Sequence, residues 1–239
     1  MLLETLRAEP DQCGGVQPDS DGSLAISGSP GGTHGFCGNR RTMAQVRLHS
    51  AENVHTAVSG PEADDRRELE QFIHRIFREA YGADVQEFMP QLMSLRNTRG
   101  ELLAVCGLRH AENTSLFLER YLQSPVEAVI AEKSGRQVAR ADIIEVGNLA
   151  VAYPGTARSL LASISIYLHG TSTAWAVFTG IPALRNALSK LNMHLLPLGF
   201  ARLAHLPENE QAAWGRYYDE KPQVMAVQRL QPPCSASAA

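Results

Sequence analysis

One acidic side chain, Glu145, lies inside the apolar run IIEVGNLAV of residues 143–151 and is the first candidate for chemistry. A carboxylate in such a strand is costly unless it is paired or functional. Desolvation raises a carboxyl pKa, which suits a general base that acts on an amine. The structural alternative is a glutamate paired with Arg140 or Arg158. Asn148 is either a second catalytic residue or a core amide with satisfied hydrogen bonds.

The turn YPGTAR at residues 153–158 follows this run and has features of an anion site. Free backbone N–H groups at a helix N-terminus favour a phosphate, and Arg158 adds positive charge. Gly155 lets a ligand approach the backbone closely. The candidate ligand-binding residues are Gly155, Thr156, Ala157 and Arg158, although ordinary strand-to-helix turns also contain Gly or Pro.

Two further segments carry polar or aromatic candidates. In FTGIPALRN, residues 178–186, Thr179 lies where a strand gives way to a helix, a common ligand edge in open α/β sheets. Asn186 is a second candidate contact, whereas we expect Arg185 to form a cap or a pair on the surface. In WGRYYDEKPQV the aromatic side chains either line an acyl pocket or form a satellite core cluster; they are Trp214, Tyr217 and Tyr218.

Composition argues against several classes of function. The formal net charge is −3 and the apolar fraction 44 %, so a full core is possible and nothing global indicates a nucleic-acid partner. The eight histidines and four cysteines show no zinc spacing, so we expect no metal site. The first residues are too acidic for a signal peptide and no apolar stretch is long enough to cross a bilayer, so we expect a cytoplasmic location.

Periodicity predicts the elements that position these residues. Helical spacing predicts an amphipathic helix from about Asp65 to Gly82, followed by a hairpin of two short strands. The best strand runs over 143–152, and alternation places Glu145 and Leu149 on the same face.

The later elements complete a mixed sheet. Thr156 is expected to cap a helix that closes at Gly170, and Pro182 to start a helix after the next strand. Residues 193–203 are expected to be extended or irregular, before a last strand. The central strand–helix–strand order implies parallel pairing, and the early hairpin implies antiparallel pairing. The sequence therefore predicts an α/β (α+β) fold with helices on both faces of the sheet.

The chain is expected to contain one folded domain between two tails. Residues 1–60 are dense in Gly, Ser, Pro and Asp and have almost no large apolar side chains, which predicts disorder. Met43 is an alternative start of the chain. The folded domain is predicted over 61–231, and 232–239 as a flexible tail.

Taken together, four segments resemble the thermostable hemolysin family: LFLERYLQSPVEAVI, IIEVGNLAV, AWAVFTG with LRN, and WGRYYDEKPQV. The resemblance covers roughly Arg67 to Arg229, and EVGNLA followed by WxVFT and WGxYY at matching intervals is fairly specific. That family is similar in fold to the GNAT superfamily and, within it, to acyl-homoserine-lactone synthases. The resemblance implies a GNAT-like mixed sheet that is splayed at its centre, with an acyl donor in the splay.

The resemblance also implies residue roles. Glu145 falls where such synthases carry an acidic residue on the central strand, and YPGTAR falls where acyltransferases hold the pyrophosphate of coenzyme A. The usual phosphate loop reads Gln/Arg-x-x-Gly-x-Gly/Ala, which YPGTAR does not match. The donor therefore stays open between acyl-CoA, an acyl carrier protein thioester and an S-adenosylmethionine-type substrate. No cofactor is expected to be tightly bound.

Three functions follow as hypotheses. The first is a GNAT-type acyltransferase for metabolite biosynthesis, which moves an acyl group from a thioester to a small-molecule amine, with Glu145 and Asn148 as catalytic candidates. The second, raised by the family name, is a membrane-active cytolysin, for which the sequence shows no clear amphipathic segment. The third is a GNAT-like domain that binds a ligand without chemistry. The sequence leaves the oligomeric state open.

Overall fold

A computed structural model describes residues 54–153 and 155–229. They form a seven-stranded mixed sheet in the order β1-β2-β3-β4-β5-β7-β6. Only β4 and β5 run parallel; the other neighbouring pairs are antiparallel. The predicted mixed sheet, with an early hairpin and a parallel centre, is confirmed. The strands are β1 His55–Ser59, β2 Gln91–Arg96, β3 Leu102–His110, β4 Ile143–Val151, β5 Trp175–Gly180, β6 Leu195–Phe200 and β7 Gln223–Gln228.

The longer helices are α1 Arg66–Tyr81, α2 Val126–Ser134, α3 Thr156–His169 and α4 Pro182–Lys190. The predicted α1 forms because its apolar residues recur at helical spacing and give one buried stripe, and Gly82 ends it in the left-handed conformation with φ of 67°. Pro182 occupies the first turn of α4. Short elements complete the chain: the 3₁₀ turns Phe117–Tyr121, Arg140–Asp142, Leu203–His205, Ala212–Trp214 and Tyr217–Glu220, and the helix α5 Glu208–Gln211.

The helices cover both faces of the sheet. On the back face, α3 and α4 bury Leu160 and Leu184 against strand residues such as Ile144 and Val146. On the front face, two layers lie side by side. The α1 layer contains Leu69, Ile73, Leu92, Val105 and Ala150, and the α2 layer contains Leu118, Val126, Ile143, Val177 and Ala226.

The sheet separates at its centre, between β4 and β5. These strands pair only from Ile143 with Trp175 to Val146 with Phe178. Beyond that point, within residues 54–153 and 155–229, the rest of β4 pairs only with β3, and Thr179 and Gly180 pair only with β7. This separation is the splay that was expected, and we call it the central gap.

A β-bulge in β4 corrects one prediction about its faces. Between the pairs Gly107–Gly147 and Val105–Ala150, β4 contains one residue more than β3. Asn148 lies in this bulge with φ of 46°. Alternation had placed Leu149 on the front face with Glu145, but Leu149 packs on the back face and Ala150 takes the front. The prediction was wrong because an inserted residue reverses the alternation after it.

The boundaries differ from the predicted ones in two places. Strand β1 lies within the predicted tail 1–60 and pairs with β2, so the folded part begins before residue 61. Its signal is weak because only Ser59 among its five residues is buried. Thr156 is the first residue of α3 rather than its cap, which is Gly155. The remainder of the predicted N-terminal tail, residues 1–53, and the whole predicted C-terminal tail, residues 232–239, lie outside the described residues.

Candidate active site

Glu145 is buried on the front face, just before β4 and β5 separate. Its Oε2 accepts a 2.9 Å hydrogen bond from the backbone N–H of Phe117, and its Oε1 accepts one of 2.9 Å from that of Leu118. Burial raises the pKa of this carboxyl, and the two backbone donors and the charge of Arg109 oppose the rise without cancelling it. Among the described residues, its hydrogen-bond partners are these two amides and neither of the arginines suggested from the sequence.

The segment that Glu145 contacts is fixed from the other side by Glu119. This carboxylate accepts hydrogen bonds from the backbone N–H groups of Leu116, at 2.8 Å, and Val126, at 3.0 Å. Its two oxygens also accept bonds of 2.8 Å from Arg140. Burial alone would raise the pKa of Glu119, but the bonds from Arg140 and the two backbone donors lower it to about 2.

Arg140 uses all of its side-chain N–H groups for hydrogen bonds in this network. Besides Glu119, it donates to Glu127 at 2.7 Å and to the carbonyl oxygens of Ala111 and Thr114, each at 2.8 Å. An open groove lies beside it. Because all five of its N–H groups are engaged, Arg140 holds the loop together and offers that groove no free donor.

The Asn148 side chain binds the loop that precedes β2. Its Oδ1 accepts a 3.0 Å hydrogen bond from the Met89 backbone N–H, and its Nδ2 donates to the Glu87 carbonyl oxygen at 3.3 Å. Met89 packs against Gly107 and Gly147, where a Cβ would overlap its side chain. These are the contacts of a positioning residue, and a catalytic role for Asn148 stays a prediction.

Among the residues that the structure describes, no strand pairs with the β5-facing edge of β4 after Val146. At the end of this edge the chain turns into α3, where Gly155 has φ of 88° and is exposed, as is Arg158. Thr156 and Ala157 are partly buried in the first turn. The structure therefore brings the four residues predicted for phosphate binding together at the open end of the gap.

The two remaining polar candidates lie further apart. Thr179 is the first residue of β5 after its last pair with β4, which places it at the apex of the central gap. Asn186 is exposed on α4, and its ligand role stays a prediction. Arg185 donates a hydrogen bond to Gln223 of β7 in a partly buried position, rather than on the surface as predicted.

An aromatic cluster lies over the front of the gap. The Trp214 ring is 5.5 Å from Tyr217, 5.7 Å from Tyr218 and 5.7 Å from Phe117, between ring centroids. Trp214 contacts both front-face layers, so the cluster covers the seam between them. The three aromatic residues singled out from the sequence are thus brought together, and Phe117 connects them to the segment that Glu145 holds.

Sequence reasoning missed several residues of this site. Phe117 and Leu118 act through backbone N–H groups, which carry no residue-type signal. The available signal for the network was the spacing of Leu116 and Glu119, since a glutamate at the third position of a helical turn can bond back to the residue before the turn. Nothing local marks Met89 as the side chain that packs on two glycines.

The described residues contain neither a candidate metal site nor a candidate membrane-spanning helix. Residues 54–153 and 155–229 contain no cluster of His, Cys, Asp and Glu arranged to hold a metal ion. In the same ranges, every helix falls short of the length and apolar character required to cross a lipid bilayer.

Several solved structures share this fold. FeeM, an N-acyl amino acid synthase from uncultured soil microbes, is 14% identical with a TM-score of 0.50, over 74% of this chain and 91% of that chain. TofI in an apo form is 15% identical with a TM-score of 0.50, over 73% and 90%. The AHL synthase LasI is 10% identical with a TM-score of 0.50, over 74% and 90%. At these identities the similarity shows the fold alone.

Sequence comparison identifies the family. No curated protein sequence shows a significant match to the chain. The family of thermostable hemolysins, in contrast, matches residues 59–232, which include every strand of the sheet except most of β1. The chain therefore belongs to the thermostable hemolysin family.

Proposed function

We propose that this protein transfers an acyl group from a thioester donor to a small-molecule amine. The observation that carries the proposal is the central gap, which opens beside the buried carboxylate of Glu145. FeeM, which shares the fold, is an N-acyl amino acid synthase, and its name describes an acyl group on an amine nitrogen. The gap supplies a place for the donor, and Glu145 supplies a group that exchanges protons.

The donor binds along the free edge of β4. An unpaired strand edge presents backbone N–H and C=O groups that pair with an extended, amide-containing chain, as in strand addition. The edge leads to the first turn of α3, where backbone N–H groups and Arg158 attract a phosphate. Acyl-CoA and acyl carrier protein thioesters both combine a phosphate with such a chain, and S-adenosylmethionine does not. The first two are therefore the favoured donors.

Glu145 exchanges the proton of the amine. The amine nitrogen attacks the thioester carbonyl carbon, and its proton passes to the carboxylate. The carbon–sulfur bond then breaks, and the leaving thiolate takes the proton from Glu145. Each carboxylate oxygen accepts one backbone hydrogen bond and keeps a further lone pair for the amine. The raised pKa of Glu145 suits both transfers, because the group must accept the proton and return it. Unpaired N–H groups on the β4 edge stabilise the oxyanion.

Native mass spectrometry tests the donor site. The purified protein is mixed with acetyl-, octanoyl- and hexadecanoyl-CoA, with the matching acyl carrier protein thioesters, and with S-adenosylmethionine. We expect selective binding of one thioester class, weakened about tenfold by Arg158→Ala, the effect of one charge-assisted hydrogen bond. The control is Arg99→Ala, an exposed arginine in the β2–β3 turn, which should leave binding unchanged.

The alternatives have distinct outcomes. Binding of a thioester without thiol release, across a panel of amines, would favour a ligand-binding domain without chemistry. No thioester binding, together with leakage of lipid vesicles by the pure protein, would favour a cytolysin. Either result would overturn the acyltransferase proposal.

A further inference from the structure

The Tyr217 side chain lies at the narrow end of the central gap. It packs against the back-face cluster, which includes Ile144, Val146, Leu160 and Leu184, and also against the α1 layer on the front face. The separation of two neighbouring strands allows one side chain to contact both faces of a sheet. Its hydroxyl donates a long, 3.5 Å hydrogen bond to the carbonyl oxygen of Thr179, the first residue of β5 beyond the pairing with β4. Tyr217 therefore lies at the apex of the gap.

Four aromatic neighbours surround the Tyr217 ring. The distances between ring centroids are 5.2 Å to Tyr81, 5.3 Å to Tyr218, 5.5 Å to Trp214 and 6.2 Å to Phe77. Offset and edge-to-face pairs at such distances are favourable, and together they give the ring a defined position.

The backbone before Tyr217 is also fixed. The Arg216 N–H donates to the Tyr81 carbonyl oxygen at 2.9 Å. Gly215 has φ of 50°, and a Cβ at that position would overlap the backbone of Tyr81 and Gly82. The close approach of these two backbones anchors the segment to the end of α1. The Tyr217 ring is therefore held in place both by its aromatic neighbours and by its own backbone.

We propose that Tyr217 limits the length of the acyl group that this protein accepts. The inference rests on the proposed function, since it requires a thioester donor along β4. Such a donor places its acyl group at the apex, where the Tyr217 ring stands. Short acyl groups end in front of the ring, and long chains collide with it. Removing the ring connects the apex to the back-face cluster, where additional methylene groups become buried.

The test compares acyl-chain preference among variants. Dissociation constants are measured by native mass spectrometry for acetyl, butanoyl, octanoyl and hexadecanoyl groups, each on CoA and on acyl carrier protein. We expect Tyr217→Ala to improve hexadecanoyl binding relative to acetyl binding by at least about tenfold, the effect of about two buried methylene groups. Tyr217→Leu should give a smaller shift in the same direction, and it serves if the alanine variant does not fold.

Two controls separate a specificity role from a structural one. Tyr217→Phe keeps the ring and should keep the wild-type preference. Tyr167→Ala removes an aromatic ring from α3 on the back face, where its hydroxyl contacts Gln91 of β2, two strands from the gap. This variant should lose stability without changing the ratio between long and short chains.

The two proposals fail in distinguishable ways. If the wild-type protein binds thioesters and Tyr217→Ala or Tyr217→Leu binds them with the same relative preference, the length limit is wrong and the donor site stands. If no thioester of any length binds to wild type or variants, the proposed function is wrong, and the length limit is wrong with it.

Discussion

Glu119 and Glu145 both hold the segment around the 3₁₀ turn Phe117–Tyr121, and they differ in their surroundings. Each carboxylate accepts two backbone hydrogen bonds. Glu119 also has Arg140 in direct contact, and its pKa falls to about 2. Glu145 is more deeply buried, has no arginine in hydrogen-bond contact among the described residues, and its pKa is raised.

The difference separates a structural carboxylate from one available for chemistry. Backbone donors alone do not offset the cost of burying the charge of Glu145, whereas a bidentate arginine does so for Glu119. A structural role at Glu145 would be better served by a counter-charge such as Arg140. The site instead retains a buried group that holds its proton more readily than an ordinary glutamate, beside a gap in the sheet.

Replacing Glu145 should have the largest effect. Glu145→Gln removes the proton acceptor, and we expect thiol release from the bound thioester to fall at least about 100-fold, a typical contribution of general base catalysis. One of the Phe117 and Leu118 N–H groups also loses its acceptor, so some stability is lost. Rates are measured at saturating donor by the appearance of free thiol.

The matched control is Glu119→Gln, which loosens the same segment without altering the proton acceptor. Its rate should stay within about tenfold of the wild-type rate, because the lost bonds are structural. Equal losses of rate in the two variants would show that Glu145 acts only by holding Phe117 and Leu118.

Removing the counter-charge should destabilise the fold. Arg140→Ala leaves Glu119 and Glu127 without their shared cation, and we expect the free energy of unfolding to fall by about 2 kcal/mol. Arg136→Ala, which removes an exposed arginine bonded to Gln228, should change it by less than about 0.5 kcal/mol. Urea denaturation measures both. Similar values for the two variants would show that the network contributes no more than a surface contact.

The two glutamates should impose opposite pH dependence on stability. Glu119 has a lowered pKa, so its contribution to the free energy of unfolding is complete above pH 4.5 and is lost as the pH falls towards 2. Glu145 has a raised pKa, so its contribution to the free energy of unfolding is complete below pH 4.5. That contribution is lost as the pH rises through the folded-state pKa. We expect Glu119→Gln to remove part of the acid destabilisation, by at most about 2 kcal/mol, and Glu145→Gln to enhance it. Unfolding curves at successive pH values measure this, and a shift of the same sign in both variants would contradict the assignment.

Asn148 extends the comparison to a polar side chain without charge. Asn148→Ala loses the bonds to Met89 and Glu87 and retains the unfavourable positive φ, so we expect a loss of about 2 kcal/mol. Asn148→Gly relieves the φ strain and should recover about 1 kcal/mol of it. Thermal unfolding compares them. If both variants keep full stability but lose turnover, the positioning role is wrong and a catalytic role is favoured.

The sequence was informative where a local pattern determines the structure. The α1 stripe and the apolar run of β4 follow from residue spacing alone, and Glu145 was noticeable because a carboxylate interrupts that run. The order of strands and helices was enough to imply the parallel pair at the centre of the sheet.

The sequence was uninformative where the site depends on backbone groups that are distant along the chain. Phe117 and Leu118 precede Glu145 by 28 and 27 residues and bind it through N–H groups that every residue but proline possesses. Asn148, in the bulge, bonds to the Met89 loop, which only the folded sheet brings near. The position of Tyr217 in the gap likewise requires the two front-face layers and the back face to be assembled first.

Amide hydrogen exchange most directly tests whether the central gap is the donor site. The protein is compared with and without the thioester that it binds most tightly in the mass spectrometric panel. We predict slower exchange at β4 residues 147–151 and in the first turn of α3, with no change in β1 or β2. Unchanged exchange along β4, with protection confined to an outer surface such as the groove beside Arg140, would contradict the placement of the donor in the gap.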